Sequence, residues 1–226
     1  MKLNKMIVLG GLILLIGAGC QTAVTEEPEQ AVMQEDLTNS ENMEVSDETT
    51  MTFEHPGVLD DERIKDKQIR ISTEKGDIVF TLFADTAPLA VSNYVHLAEQ
   101  GYYNGLIFHR VEQNFVIQGG DPLGTGRGGP GYRFEDELGP SHIPEDLQDR
   151  MDADPDKALY QKGIVAMANS GPNTNGSQFF IMLDNIPSAN MPNLYTIFGE
   201  VTEGLSIVDE IEVGDIMTTV TVEDAE

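Results

Sequence analysis

Met167-Ala-Asn-Ser-Gly-Pro-Asn-Thr-Asn-Gly-Ser-Gln-Phe-Phe-Ile181 is the stretch on which the fold turns. Its middle, Ser170 to Ser177, consists of small, polar and turn-forming residues, which favour a tight loop over a helix. Apolar runs of strand length flank it, Gly163 to Ala168 before and Gln178 to Leu183 after. Toward the N-terminus, Leu106 to Val111 and Phe115 to Gln118 read as two more strands. Gln68 to Thr73 alternates, Glu74-Lys75-Gly76-Asp77 turns, and Ile78 to Phe83 returns as the second arm of a hairpin. Between these lies a predicted helix, opened by Thr86-Ala87-Pro88 and closed by Gly101, with Val91, Val95 and Ala98 on one face. Toward the C-terminus come a strand (Thr196 to Val201), a short helix (Leu205 to Ile211) and a last strand (Ile216 to Val222). Many short strands, Gly-rich connections and only two helices predict a mainly β domain, a closed antiparallel barrel. The acidic stretch between Phe134 and Gly163 is expected to be an irregular excursion.

The chain has 226 residues, 40% of them apolar and 23% charged, enough for one packed domain with something attached. The formal charge of −26 argues against nucleic acid as a partner, and against a basic membrane-binding patch. Lys2 and Lys5, the apolar run Met6 to Ile16 and the small residues Gly17, Ala18 and Gly19 lead to Cys20, the single cysteine. That order resembles a bacterial lipoprotein signal, with residues 1–19 removed and Cys20 lipidated. Gly17 departs from the Leu or Val commoner there. The resemblance implies an extracytoplasmic protein, anchored to the cell membrane by lipid. Acids then recur from Glu26 to Glu62 without one Lys or Arg. Residues 20–62 are therefore expected to be the lipidated cysteine and a disordered acidic tether, and 63–226 the folded domain.

Motifs for metal or nucleophilic chemistry are missing. His55, His96, His109 and His142 are scattered, and no Gly-x-Ser-x-Gly elbow occurs. Gly124-Thr-Gly126-Arg-Gly128-Gly129 contains a Gly-x-Gly-x-x-Gly pattern. Pro130-Gly131 follows where a dinucleotide site needs a helix, so no such cofactor is expected. Neither metal nor cofactor enters the reading.

A second segment, Phe108-His-Arg-Val-Glu-Gln-Asn-Phe-Val-Ile-Gln-Gly-Gly-Asp121, stands in the same order relative to 167–181 as the two signature segments of the cyclophilins. The chain resembles these peptidyl-prolyl cis-trans isomerases over most of 65–222. The resemblance implies an eight-stranded antiparallel barrel capped by two helices. It also implies isomerase activity on proline-containing segments, here those of exported polypeptides.

The chemistry can be argued directly. Rotation about an X–Pro amide meets a barrier of about 20 kcal/mol and takes tens of seconds unaided. In the twisted state the nitrogen loses conjugation and gains a lone pair. A fixed donor aimed at it stabilises the twist and not the planar ground state. By the resemblance, Arg110 is that donor, Gln118 positions it, and Phe115 completes the catalytic set. Phe115 and Phe180 floor the proline socket, and Val116 stands where the family often has Met. His109, Ala168, Asn169 and Gln178 contact the peptide. Met191 falls on a Leu position and Tyr195 on a His or Tyr position. Asn190 falls where the family has Trp, so binding of cyclosporin, the family's cyclic-peptide inhibitor, is expected to be weakened. A peptide-binding chaperone or scaffold with incidental isomerase turnover is the alternative.

Overall fold

The computed structural model describes residues 53–153, 159–187 and 190–225. The expected signal segment 1–19, Cys20 and the acidic stretch through residue 52 lie outside the described residues. Eight strands form one sheet: β1 (Lys67–Thr73), β2 (Gly76–Leu82), β3 (Arg110–Glu112), β4 (Val116–Gly119), β5 (Ile164–Met167), β6 (Phe179–Met182), β7 (Ile197–Glu203) and β8 (Thr219–Asp224). The order across it is β3-β4-β6-β5-β7-β2-β1-β8. Every pairing is antiparallel.

The expected closed barrel is corrected to an open, curled half-barrel, because its edge strands β3 and β8 do not pair. The first half of the predicted strand Leu106–Val111 turns instead to the segment ahead of β8. Ile107 and Ile216 form a single bridge. Phe108 N donates to Asp215 O (2.9 Å) and Met217 N to Leu106 O (2.9 Å). A turn at Glu212–Asp215, closed by Glu212 N donating to Asp215 Oδ2 (2.7 Å), and Gly214 at φ +98° bend this segment away from a continuous ladder.

The sheet buries both faces where β5 and β6 cross it, which is why Ile-Val-Ala-Met and Phe-Phe-Ile-Met are continuous apolar runs. On one face Ile117, Phe179, Ile181, Val165 and Phe198 meet helix α2 (Pro88–Glu99) through Val91, Tyr94 and Val95. Each such side chain contributes about 1.5–3 kcal/mol on burial. On the other face Val116, Phe180, Met182, Ala166 and Ile197 form a second apolar cluster.

Two helices were expected, and the described residues hold four. Besides α2 and α4 (Leu205–Glu210), a short α1 (Asp61–Ile64) precedes the sheet, and α3 (Glu145–Ala153) lies in the acidic excursion. Leu147 is the one fully covered residue of α3, and it joins the second cluster. Only Met151, partly buried, joins it from the same helix, and two apolar contacts in nine residues leave little periodic signal in the sequence. Packing also begins ahead of residue 63: Phe53 sits edge-on to Tyr102 at 5.0 Å, and Leu59 N donates to Ser92 Oγ (2.9 Å).

Ala87 cannot cap α2 with its side chain. Glu137, from the excursion, does so across the fold. Its carboxylate accepts from Leu89 N and Ala90 N, each at 2.9 Å, the two amides an N-cap side chain serves. Burial raises this carboxyl above its ordinary range, although the two amides pull it down. Glu137→Ala should lower unfolding free energy by about 1–2 kcal/mol, the usual cost of a lost cap. A urea midpoint equal to that of the unaltered protein would show the cap to contribute nothing.

Candidate active site

The register of four strands brings the candidate residues together. Arg110 on β3 lies opposite Gln118 on β4, Gln118 opposite Phe180 on β6, and Phe180 opposite Ala166 on β5. Side chains alternate along a strand, so this row shares one face of the sheet, opposite the face that Ile117 and Phe179 bury against α2.

A polar relay crosses the row. Arg110 Nη1 donates to Gln118 Oε1 at 3.2 Å. Gln118 Nε2 donates to Gln178 Oε1 at 2.9 Å. Gln178 Nε2 donates to the carbonyl of Gly128 at 2.9 Å. Each amide accepts at one end and donates at the other, so the guanidinium is oriented by neutral groups. Gly120 makes the close approach possible: at φ +82°, a Cβ there would stand 2.3 Å from Ser177 O. Arg110 Cζ lies 5.7 Å from the centre of the Phe115 ring, within cation–π range. Its nearest carboxylate, Glu112, is 3.6 Å away and 57% exposed, while the arginine itself is 42% exposed and open to a ligand.

Phe115, Val116, Ala168, Phe180, Met191 and Tyr195 all enter the second apolar cluster. Phe180 and Tyr195 meet edge to face at 5.4 Å. Tyr195 is held by a residue that the sequence reading passed over. Tyr160 OH donates to Tyr195 O and accepts from Tyr195 N, both at 3.0 Å. Burial pushes the Tyr160 phenol up to about 12. Tyr160 sits at the end of the acidic excursion, which carried no strand or helix signal to mark it.

Asn169 and His109 flank this set. The Asn169 side chain donates to Leu194 O (3.0 Å) and to Asp136 Oδ1 (3.3 Å), bracing the loop that carries Tyr195. Asn190, on the far side of that loop, is exposed, and its backbone N donates to Pro187 O at 2.8 Å. His109 stands apart from the cluster and faces Gly126. Beside the relay lies a groove of about 730 Å³, which Gln118, Ala168 and Gln178 share with the site. Its far wall runs through Gly126–Gly129 and Gly131–Arg133.

An antiparallel β domain with a cation oriented by neutral amides beside an aromatic-floored socket defines a class of peptide-handling site. The family model of the cyclophilin type peptidyl-prolyl cis-trans isomerases matches residues 68–225, and the chain belongs to that family. A peptidyl-prolyl cis-trans isomerase of Helicobacter pylori is 42% identical over 165 residues, covering 72% of this chain and 91% of the relative. The peptidyl-prolyl cis-trans isomerase-like 1 protein of Bos taurus is 43% identical over 146 residues, 63% of this chain and 78% of the relative. Among solved structures, a cyclophilin type isomerase of Cryptosporidium parvum aligns with a TM-score of 0.57 at 34% identity, over 71% of this chain and 99% of the other. A second crystal structure of that protein, described as in the presence of the dipeptide Ala-Pro, aligns with a TM-score of 0.56 at 35% identity, over 69% of this chain and 98% of the other.

Both ring nitrogens of His109 are buried and lack a protein partner. Burial lowers its pKa below the ordinary 6.5, and Arg110 lowers it further while Asp121 opposes. With the folded pKa below the unfolded one, the unfolded chain binds more protons in between. Stability should therefore be full above about pH 6.5 and fall as pH drops below it. His109→Gln should flatten the part of the stability–pH curve below about pH 6.5 that this group supplies. Identical curves for the two proteins would remove His109 from the account.

Proposed function

We propose that this cyclophilin-type isomerase works outside the cytoplasm, held to the cell membrane by lipid at Cys20, on proline-containing segments of exported polypeptides as they fold. The relay Arg110–Gln118–Gln178 beside the Phe115–Phe180–Tyr195 floor is the observation that carries the reading of the site. In this reading the floor takes the proline ring, and apolar contact supplies affinity. Arg110 faces the amide nitrogen. Its charge is nearly useless against a planar amide, whose lone pair is delocalised, and strong against the twisted one. That difference is what accelerates the step. Removing about 7 kcal/mol from the barrier gives about 10⁵-fold. No nucleophile or proton transfer is needed. The Ala-Pro dipeptide named for the Cryptosporidium parvum structure is in keeping with a socket that accepts X–Pro units.

Cyclosporin inhibition belongs to the same reading in weakened form. The aromatic floor remains, but Asn190 lacks both the area and the N–H donor of an indole.

Arg110→Ala should lower kcat/KM on a short X–Pro peptide by about 100-fold, or about 3 kcal/mol of transition-state stabilisation. Thermal unfolding should move little, because the side chain is half exposed. Arg110→Lys should recover little of the rate, since a point charge does not reproduce the guanidinium fork. Retention of most activity by the alanine variant would refute the assignment.

For the anchor, metabolic labelling with a fatty acid should mark the unaltered protein and fail to mark Cys20→Ser, which should be released or misprocessed. Equal labelling of both would end the lipoprotein reading.

A further inference from the structure

The groove beside the relay carries an electrostatic feature at odds with the rest of the molecule. Within a chain of net charge −26, two arginines, Arg127 and Arg133, line its far wall. Every other Lys or Arg among the described residues faces a carboxylate. Arg63 pairs with Glu99, Lys65 with Asp61 and Asp85, Lys67 with Asp224, and Arg70 with Asp77 and Glu223. Lys75 pairs with Glu212 and Asp215, Arg110 with Glu112, Arg150 with Asp146 and Glu200, and Lys162 with Asp209. Among these residues Arg127 and Arg133 alone have neither an ion pair nor a hydrogen bond from the guanidinium.

Carboxylates near the groove are not scarce; they are occupied. Asp121 accepts from the backbone amides of Leu123 (2.8 Å), Thr125 (2.8 Å), Gly126 and Arg127 (3.1 Å) and is 1% exposed. Burial pulls its carboxyl up, but the backbone amides of Leu123, Gly128, Thr125 and Gly126 hold it below the ordinary range. Asp136 accepts from Asn173 N (2.7 Å), Asn175 Nδ2 (2.9 Å) and Asn169 Nδ2 (3.3 Å). Glu135, two residues beyond Arg133, is exposed and pairs with neither arginine. Neutral amides thus satisfy the two acids that could have quenched the arginines. The glycines around them, Gly126, Gly128, Gly129 and Gly131, put no side chain between the guanidinium groups and the groove.

We infer that this groove is a subsite for an acidic side chain of the substrate, Asp or Glu, lying within a few residues of the proline and held by Arg127 and Arg133. The inference rests on the isomerase reading of the neighbouring relay and adds a sequence preference to it. Gln118 and Gln178 join the two regions, so one extended peptide can place its proline at Phe115 and Phe180 and a flanking residue in the groove. Both arginines are exposed, so each pair is a surface ion pair, screened by salt. Together they should yield a preference of about three- to tenfold.

The test uses X–Pro peptides carrying Glu, Gln or Lys in turn at each of the three positions before and after the proline. The readout is the ratio of kcat/KM for Glu over Gln at each position. In the unaltered protein this ratio should reach about 3 to 10 at one position and stay near 1 elsewhere, with Lys below Gln at that same position. In the double variant Arg127→Gln, Arg133→Gln the ratio should fall to about 1. At about 0.5 M salt it should shrink likewise in the unaltered protein. Ratios near 1 at every position, with the Gln peptides turned over normally, overturn the subsite alone. A preference that survives in the double variant overturns it as well. No turnover of any Gln peptide by the unaltered protein overturns the isomerase reading, and the subsite with it.

Discussion

Strand register is the constraint on which everything else depends. Arg110, Gln118, Phe180 and Ala166 lie in one row across four strands because Arg110 pairs with Gln118, Gln118 with Phe180 and Ala166 with Phe180. Side chains alternate, so a slip of one residue in β4 would exchange Gln118 for Ile117. It would bury an amide among Phe179, Ile181 and α2 and expose an isoleucine. The core therefore enforces the geometry of the site. The apolar residues that look merely structural, Ile117, Phe179 and Ile181, fix which face Arg110 and Gln118 occupy.

Electrostatics then decides how that face is used. In so acidic a chain the common fate of a cation is an ion pair, and most of the described Lys and Arg follow it. Arg110 is steered mainly by the Gln118 amide, which orients a guanidinium without cancelling its charge. A buried carboxylate in that place would lower the field where a twisted amide needs it. Glu112 pairs with Arg110 at 3.6 Å but is 57% exposed, so solvent leaves that pair weak. The same device recurs at Asp121 and Asp136, where amides satisfy carboxylates that would otherwise reach for arginines.

Elements with local signals were legible in the sequence, and those made by distant contacts were not. The β1–β2 hairpin showed in its alternation and turn, α2 in its proline start and glycine stop, and β5 and β6 in their apolar runs. Leu106–Val111 was apolar enough for a strand, yet its first half is committed to residues 214–217, a pairing that no local pattern announces. The open seam follows from it. Helix α3 was hidden because Leu147 is its one buried residue. The α2 cap was hidden because Glu137 stands far along the chain from the amides it serves. For the site, Arg110, Phe115, Gln118 and Phe180 stood in two motifs, while Tyr160, whose hydroxyl bonds both the backbone N–H and the carbonyl of Tyr195, stood in neither.

The segment ahead of the family-matched region has its own bearing on the site. The match begins at residue 68, but among the described residues packing already includes Phe53. His55 meets the rings of Tyr132 at 5.6 Å and Phe134 at 4.8 Å. Tyr132 lines the groove and donates to Asn93 Oδ1 at 2.6 Å, and Asn93 Nδ2 donates in turn to the carbonyl of Gly176, also on the groove. The chain thus enters the domain against the outer side of the wall that carries Arg133. His55 on one side and Asn93 on another hold the Tyr132 phenol in the groove wall. Removing 53–60 would take away the ring contacts on Tyr132 and the backbone bond to Ser92 together. Those residues are thus part of the domain that shapes the groove as well as a connection leading to it.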